Sequence, residues 1–153
     1  MVLTPGQQAP SLSLPDLDGD TLDLDAFRGR PLVMLFWNPG CGFCAAMLED
    51  LRAWDADPPP GSPRLLVVSQ GAWEANRALG LRSPVVVEEG ALRSHMAFGV
   101  RATPSAILLD ADGRVATGMA RGVRAVTGLM GIRRDRWEVV PVAPGTDASL
   151  QRS

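Results

Sequence analysis

The sequence has no lysine and no tyrosine, and among its 153 residues there are only two cysteines and one histidine. All 15 basic residues are therefore arginine; against 17 acidic residues they leave a formal net charge of -2. No run of basic side chains interleaves with aromatics, which argues against nucleic acid or an anionic membrane surface as a partner. No window approaches the roughly 20 uninterrupted apolar residues that a membrane-spanning helix requires. The opening stretch MVLTPGQQAP has neither a basic region nor a sustained apolar run, so no secretory leader is visible in it. The scarcity of sulfur and imidazole also restricts metal chemistry. A structural zinc site takes about four ligands, and Cys41, Cys44 and His95 offer only three, so no metal site is expected. His95 is expected as a partly exposed helix residue. Five aspartates between Asp16 and Asp25 lack the terminal glutamate of a calcium loop and are expected on a solvated face.

What is present is a chain with 46% hydrophobic residues, enough to bury a core without a covalent staple. A bond between Cys41 and Cys44 would close a four-residue loop worth only about 2 kcal/mol. The cysteines therefore call for another explanation. Nothing divides the chain, so residues 1–153 read as one domain, with a core over about 11–132 and a tail over 136–153 that includes a short strand candidate, WEVVPV. Leu12, Leu14, Leu17, Leu22 and Leu24 alternate around Asp18-Gly19-Asp20 as in a hairpin. Pro31 to Trp37 is a continuous apolar run, the mark of a strand covered on both faces. Asn38-Pro39-Gly40 ends it. From Gly42 the period becomes helical, with Cys44, Leu48 and Leu51 on one stripe, and ADPPPGSP stops the helix. Further strands are expected at 64–69, PVVVE and PSAILLD, with RVATGMA as the last one's hairpin partner. Helices are expected at 72–79, GALRSHMAFGV and VRAVTGLMGI. This alternation predicts an α/β sandwich with a parallel core and one antiparallel edge.

The two cysteines thus fall where a strand hands over to a helix. There the unpaired N–H groups and the positive end of the helix dipole favour a thiolate at Cys41. Cys44 lies one turn further in, shielded yet within reach of the first sulfur. This arrangement assigns Cys41 as nucleophile and Cys44 as resolving thiol in disulfide exchange, a dithiol/disulfide pair that needs no added cofactor. Gly42 and Phe43 between them carry no charge.

In this setting the sequence resembles the thioredoxin-like domains of the redoxin branch, particularly thiol-disulfide oxidoreductases of the TlpA/ResA type. The resemblance covers about residues 11–132. It includes the early hairpin, Gly29-Arg30-Pro31 before the central strand, Phe36-Trp37 before the CxxC, Thr103-Pro104, and Asp110-Ala111-Asp112-Gly113. It implies a three-layer α/β/α sandwich with an N-terminal β-hairpin extension and a strand-helix unit inserted before a cis proline. It further implies that the Thr103-Pro104 bond is cis and faces the cysteines, with Pro104 docking substrate and Thr103, Trp37, Gly42 and Phe43 flanking the site. Two positions depart from the family. Leu35 stands where thioredoxins keep a buried aspartate, and Met47 where ResA-like proteins often have a glutamate, so the usual proton acceptors for Cys44 are missing.

The expected activity is disulfide exchange with protein partners, reset by an upstream thiol donor such as a membrane redox protein, by a monomer with no nucleic-acid partner. Two alternatives stand beside it. A Sco-like copper chaperone would use the soft sulfurs and His95, although such proteins space their cysteines as CxxxC. A thiol peroxidase would normally have Thr or Ser three residues before its cysteine and Pro four before that; here those positions are Asn38 and Met34. The favoured location is extracytoplasmic, periplasmic or membrane-anchored, with leader or anchor outside this stretch. A cytoplasmic location is the alternative.

Overall fold

The computed structural model describes residues 2–132. The expected C-terminal strand and tail lie outside these residues. A five-stranded sheet forms the centre, with β1 (Ser13–Pro15) and β2 (Thr21–Asp23) paired separately as an antiparallel hairpin. Its central strand is β3 (Leu32–Phe36), in which all five residues are buried. β4 (Arg64–Ser69) runs parallel to β3, and β5 (Val85–Val87) parallel to β4. On the other side of β3, β6 (Ser105–Leu109) and then β7 (Ala120–Arg121) run antiparallel, giving the order β5-β4-β3-β6-β7. A bridge from Asp16 to Val86 brings the N-terminal hairpin against β5 and covers that sheet edge.

The period of two along β3 divides the core into two layers. Val33, Leu35 and Trp37 face α1 (Gly42–Ala56) and α4 (Gly122–Met130), whose Cys44, Met47, Leu51, Trp54, Val126 and Met130 pack on them. Leu32, Met34 and Phe36 face the opposite way. There Leu3, Leu12, Leu24 and Phe27 of the N-terminal region and Phe98 after α3 (Arg93–Ala97) close the second layer. Each large side chain so buried contributes about 1.5–3 kcal/mol. The result is the expected sandwich with helices on both faces of a mixed sheet.

Three elements differ from expectation. α3 is confined to Arg93–Ala97 within the expected 90–100, starting after Leu92 in a left-handed conformation at φ 53°. α2 spans only Trp73–Arg77, because the Ala78 N–H closes a final turn on Glu74 O and Gly80 then takes a left-handed conformation. The hairpin partner of β6 is interrupted. Leu109 bridges Val115, after which the N–H groups of Ala116 and Thr117 share Leu108 O, a bulge that delays regular pairing until Ala120.

Candidate active site

β3 ends at Phe36, and the Trp37 N–H still bonds Val68 O at 2.9 Å, so the chain enters the turn rigidly held. Asn38 then shapes the turn. Its Oδ1 accepts the Gly40 N–H at 2.9 Å, and its carbonyl accepts the Cys41 N–H at 2.9 Å. Cys41 is extended, at φ -88° and ψ 126°, and occupies the N-cap of α1, where its carbonyl receives the first helical bond from Ala45 at 3.0 Å. The strand-to-helix junction expected from the sequence therefore holds the first cysteine at a helix tip.

The Cys41 sulfur is partly exposed, and its S–H donates to Thr103 O at 3.4 Å. The Thr103-Pro104 peptide bond is cis, and its loop brings Thr103 to the cysteine. Burial pushes the Cys41 pKa upward. Hydrogen bonding from the Thr103 side chain, from the backbone N–H groups of Cys44 and Phe43, and from the Cys44 thiol outweighs that and holds it below the ordinary thiol value. The protonated side chain makes no cap bond of its own; once deprotonated, the sulfur becomes the acceptor for the orphan amides of the first turn. Cys44 is the reverse case. It has no exposed surface and sits among Leu35, Trp37 and Met47, all buried. Desolvation in that apolar setting pushes its pKa up to about 12, against hydrogen bonds from the Asn38 backbone and Thr103 that favour the charged form. Both cysteines are free thiols in this structure.

The remaining candidates separate. Thr103 touches Cys41, while Gly42 and Phe43 are exposed beside it, Phe43 with 69% of its surface open. Trp37 does not join them. It is 1% exposed and packs in the layer beneath the site with Cys44, because β3's alternation turns it inward; the expectation that it flanks the docking face is corrected. His95 is also corrected. It is 3% exposed rather than partly exposed, with Nδ1 2.8 Å from Glu88 Oε1 and its ring edge-on to Phe36 at 5.3 Å. That places it in the opposite core layer from Cys44, so the structure does not bring imidazole and sulfurs together. Among the described residues no group of three or more potential ligands could hold a metal ion.

Sequence reasoning missed two polar clusters. Glu88, buried, accepts the N–H groups of Ser94 and His95 at the start of α3. Asn76 is fully buried and bonds the loop after β4. Neither forms a local motif, so only the Asn-Pro-Gly turn advertised its role in the sequence.

Fold and site together define a thioredoxin-like domain carrying a CxxC dithiol. The redoxin family model matches residues 4–120, well over half of the chain, and the chain belongs to the redoxin family. It is similar over a short stretch to a protein named as a peroxiredoxin in Mycobacterium tuberculosis, with 44% identity over 43 residues, 26% of this chain. The match spans 27% of that relative's length. Among solved structures, the thioredoxin domain of a thiol-disulfide oxidoreductase from Bacteroides vulgatus superposes with a TM-score of 0.65 at 20% identity, covering 86% of this chain and 99% of that one. A secreted disulfide oxidoreductase from Mycobacterium tuberculosis, described as homologous to DsbE of E. coli, gives 0.59 at 22% identity, covering 69% and 80%. At these identities the structural matches establish the fold.

Proposed function

We propose that the protein is a thiol-disulfide oxidoreductase that exchanges disulfides with other proteins through Cys41 and Cys44. The observation that supports this reading is the contrast between two sulfurs one helical turn apart: Cys41 partly exposed and acidified, Cys44 buried and protonated. In the reducing direction the Cys41 thiolate attacks one sulfur of a substrate disulfide. That S–S bond breaks, the leaving sulfur departs with the electron pair and takes up a proton, and a mixed disulfide remains on Cys41. Cys44 then gives up its proton and attacks the Cys41 sulfur. The substrate leaves as a dithiol and the protein holds the Cys41–Cys44 disulfide, two electrons having passed to the substrate. The reverse sequence oxidises a substrate dithiol.

Thr103, Gly42 and Phe43 provide the docking face around Cys41, with Pro104 buried behind it and presenting Thr103 through the cis bond, and an upstream thiol donor returns the pair to its reduced form. The protein acts as a monomer, outside the cytoplasm, in keeping with the secreted relative from Mycobacterium tuberculosis. Equilibration with a redox buffer tests this directly. A single two-electron transition near about -270 mV makes the protein a reductant and one near about -120 mV an oxidant, whereas no transition involving both thiols overturns the reading.

Reduction of a peroxide by Cys41 is a second reading, favoured by the match to a peroxiredoxin. Here the thiolate attacks the O–O bond, leaving a sulfenic acid on Cys41 and releasing water or an alcohol; Cys44 condenses with it to give the disulfide and water. Hydrogen peroxide consumption faster than that of a free thiol, lost in Cys41→Ser, would favour this reading.

A further inference from the structure

Asn76 has no exposed surface, although it lies on the short helix α2. Its Nδ2 donates two bonds of 2.9 Å, to Gln70 O and Ala72 O, and its backbone N–H bonds Ala72 O at 3.1 Å. Its Oδ1 is buried without a partner. A buried amide that leaves its own acceptor unmatched while holding two main-chain carbonyls fastens the segment between them.

That segment lies against the turn that presents the nucleophile. Gly71, at φ +86°, stands one methyl's width from it: a Cβ there would make ordinary van der Waals contact, 3.7 Å from Pro39 Cδ and 4.0 Å from Asn38 Oδ1. One residue before the loop, the Ser69 hydroxyl reaches Trp37 O at 3.4 Å. Asn38 in turn holds the Cys41 and Gly40 N–H groups. Hydrogen bonds thus run from Asn76 to Gln70 and Ala72 on one side and from the Cys41 N–H to Asn38 on the other, and the two segments face each other across one methyl's width at Gly71, tied one residue earlier by Ser69 to Trp37.

We propose that Asn76 is a positioning residue for Cys41: by pinning Gln70 to Ala72 beside the Asn38-Pro39-Gly40 turn, next to the Ser69–Trp37 bond, it fixes where the Cys41 sulfur is presented. The proposal rests on the reading of Cys41 as the attacking thiol. Asn76 never touches that sulfur. Its effect is exerted through placement, since the Phe43 and Cys44 amides and Thr103 meet the sulfur only while the turn stays in register. A displacement of about 1 Å at a reacting centre can cost about a hundredfold in rate.

The test uses the full chain and follows the pH dependence of Cys41 alkylation by iodoacetamide, with thermal unfolding measured alongside. Asn76→Ala is expected to raise the pH midpoint by about one unit and so to slow alkylation at pH 7 about tenfold, in proportion to the thiolate lost. Asn76→Ser keeps a donor able to bond Ala72 O but cannot reach Gln70 O, and is expected to fall between the two. Gly71→Ala, on the exposed loop, strains the backbone at φ +86° and so displaces the Gln70–Ala72 segment while leaving the Asn76 side chain intact, and is expected to shift the midpoint in the same direction. Should Asn76→Ala not fold, the serine and Gly71 variants decide. Midpoints equal to wild type in the folded variants, whatever their melting temperatures, would overturn the proposal and leave Asn76 as scaffold. Because the readout is ionisation of one thiol rather than turnover, that result would leave the disulfide-exchange reading standing. Conversely, shifted midpoints in a protein that exchanges no disulfides would sink that reading alone.

Discussion

Cys41 Sγ and Thr103 O, 62 positions apart in the chain, lie 3.4 Å from each other at the mouth of the site. β3 and β6 make this meeting possible. They pair antiparallel, with Phe36 opposite Ser105, so the residues just beyond Phe36 and just before Ser105 emerge at the same end of the sheet.

The acidified Cys41 and the buried Cys44 predict a two-phase alkylation. Cys41 should react first, with a pH midpoint below that of an ordinary thiol, and Cys44 only after unfolding or at strongly alkaline pH. Mass spectrometry of partly alkylated protein checks the order. Modification of Cys44 ahead of Cys41 would reverse the assigned roles. Cys44→Ala should raise the Cys41 midpoint, because the Cys44 thiol is one of the donors that favour the thiolate.

In turnover, Cys41→Ser is expected to abolish reduction of a test disulfide. Cys44→Ser should accumulate a covalent adduct with the substrate that reductant releases. Gel shift under non-reducing conditions distinguishes the two, and equal activity of both variants would contradict the two-step exchange.

Cys44 also carries a stability prediction. Its folded pKa, about 12, lies above the value of 9.0 for an unperturbed thiol, so between those values the folded chain keeps a proton that the unfolded chain has lost. Stability of the reduced protein should therefore fall as pH rises above about 9, by up to about 1.4 kcal/mol per pH unit. Denaturant titrations at several alkaline pH values should show this slope in wild type and its loss in Cys44→Ala.

The Glu88–His95 pair behaves oppositely. Burial works to raise the Glu88 pKa, but the bonds from the His95 ring and from the Ser94 and His95 backbones outweigh it and hold the pKa below the ordinary carboxylate value. Its contribution is thus fully present above the unfolded pKa and is lost as pH falls through the lower folded one. Glu88→Gln should flatten the acid limb of the stability curve. Glu88→Ala, which strands two helix-start amides and the imidazole, should cost roughly 3 kcal/mol at neutral pH. A loss within a few tenths of a kcal/mol would show that water takes the place of the carboxylate.

Leu35 and Met47 lie with Cys44 in one hydrocarbon core layer, at positions where the family resemblance leads one to expect a carboxylate, and this predicts slow resolution of the mixed disulfide. Met47→Glu places a proton acceptor one turn along α1 from Cys44. It should shorten the lifetime of the adduct, by about a hundredfold if general base catalysis is restored, while lowering stability by roughly 3 kcal/mol. Stopped-flow decay of a fluorescent mixed disulfide measures the first effect. An unchanged lifetime in a folded variant would mean that deprotonation of Cys44 does not limit the step.

Much of this was legible from residue order. The apolar run ending in Asn38-Pro39-Gly40, followed at once by helical spacing, located both cysteines at a strand-helix junction and indicated which sulfur is nearer solvent. The same local reasoning went wrong for His95, and the family resemblance for Trp37, which the apolar run had placed in the core. Helical period could not reveal that a glutamate seven residues upstream would draw His95 into the core. Nor could the end of an apolar run show on which face Trp37 would lie. Asn76 gave no signal, since a lone asparagine in a short helix is indistinguishable from a surface residue until the loop it holds is seen.

The sequence by itself determined that one cysteine caps a helix and the other lies one turn inside it, because backbone geometry at a helix tip and a three-residue spacing are local properties of a short segment. Only the tertiary structure decided what surrounds those sulfurs: Thr103 just before β6, hydrocarbon packed about Cys44, and the Asn76-held loop beside the turn. Those contacts join segments tens of residues apart. Their energetics depend on burial and mutual orientation, which exist only once the sheet has closed and water has been expelled.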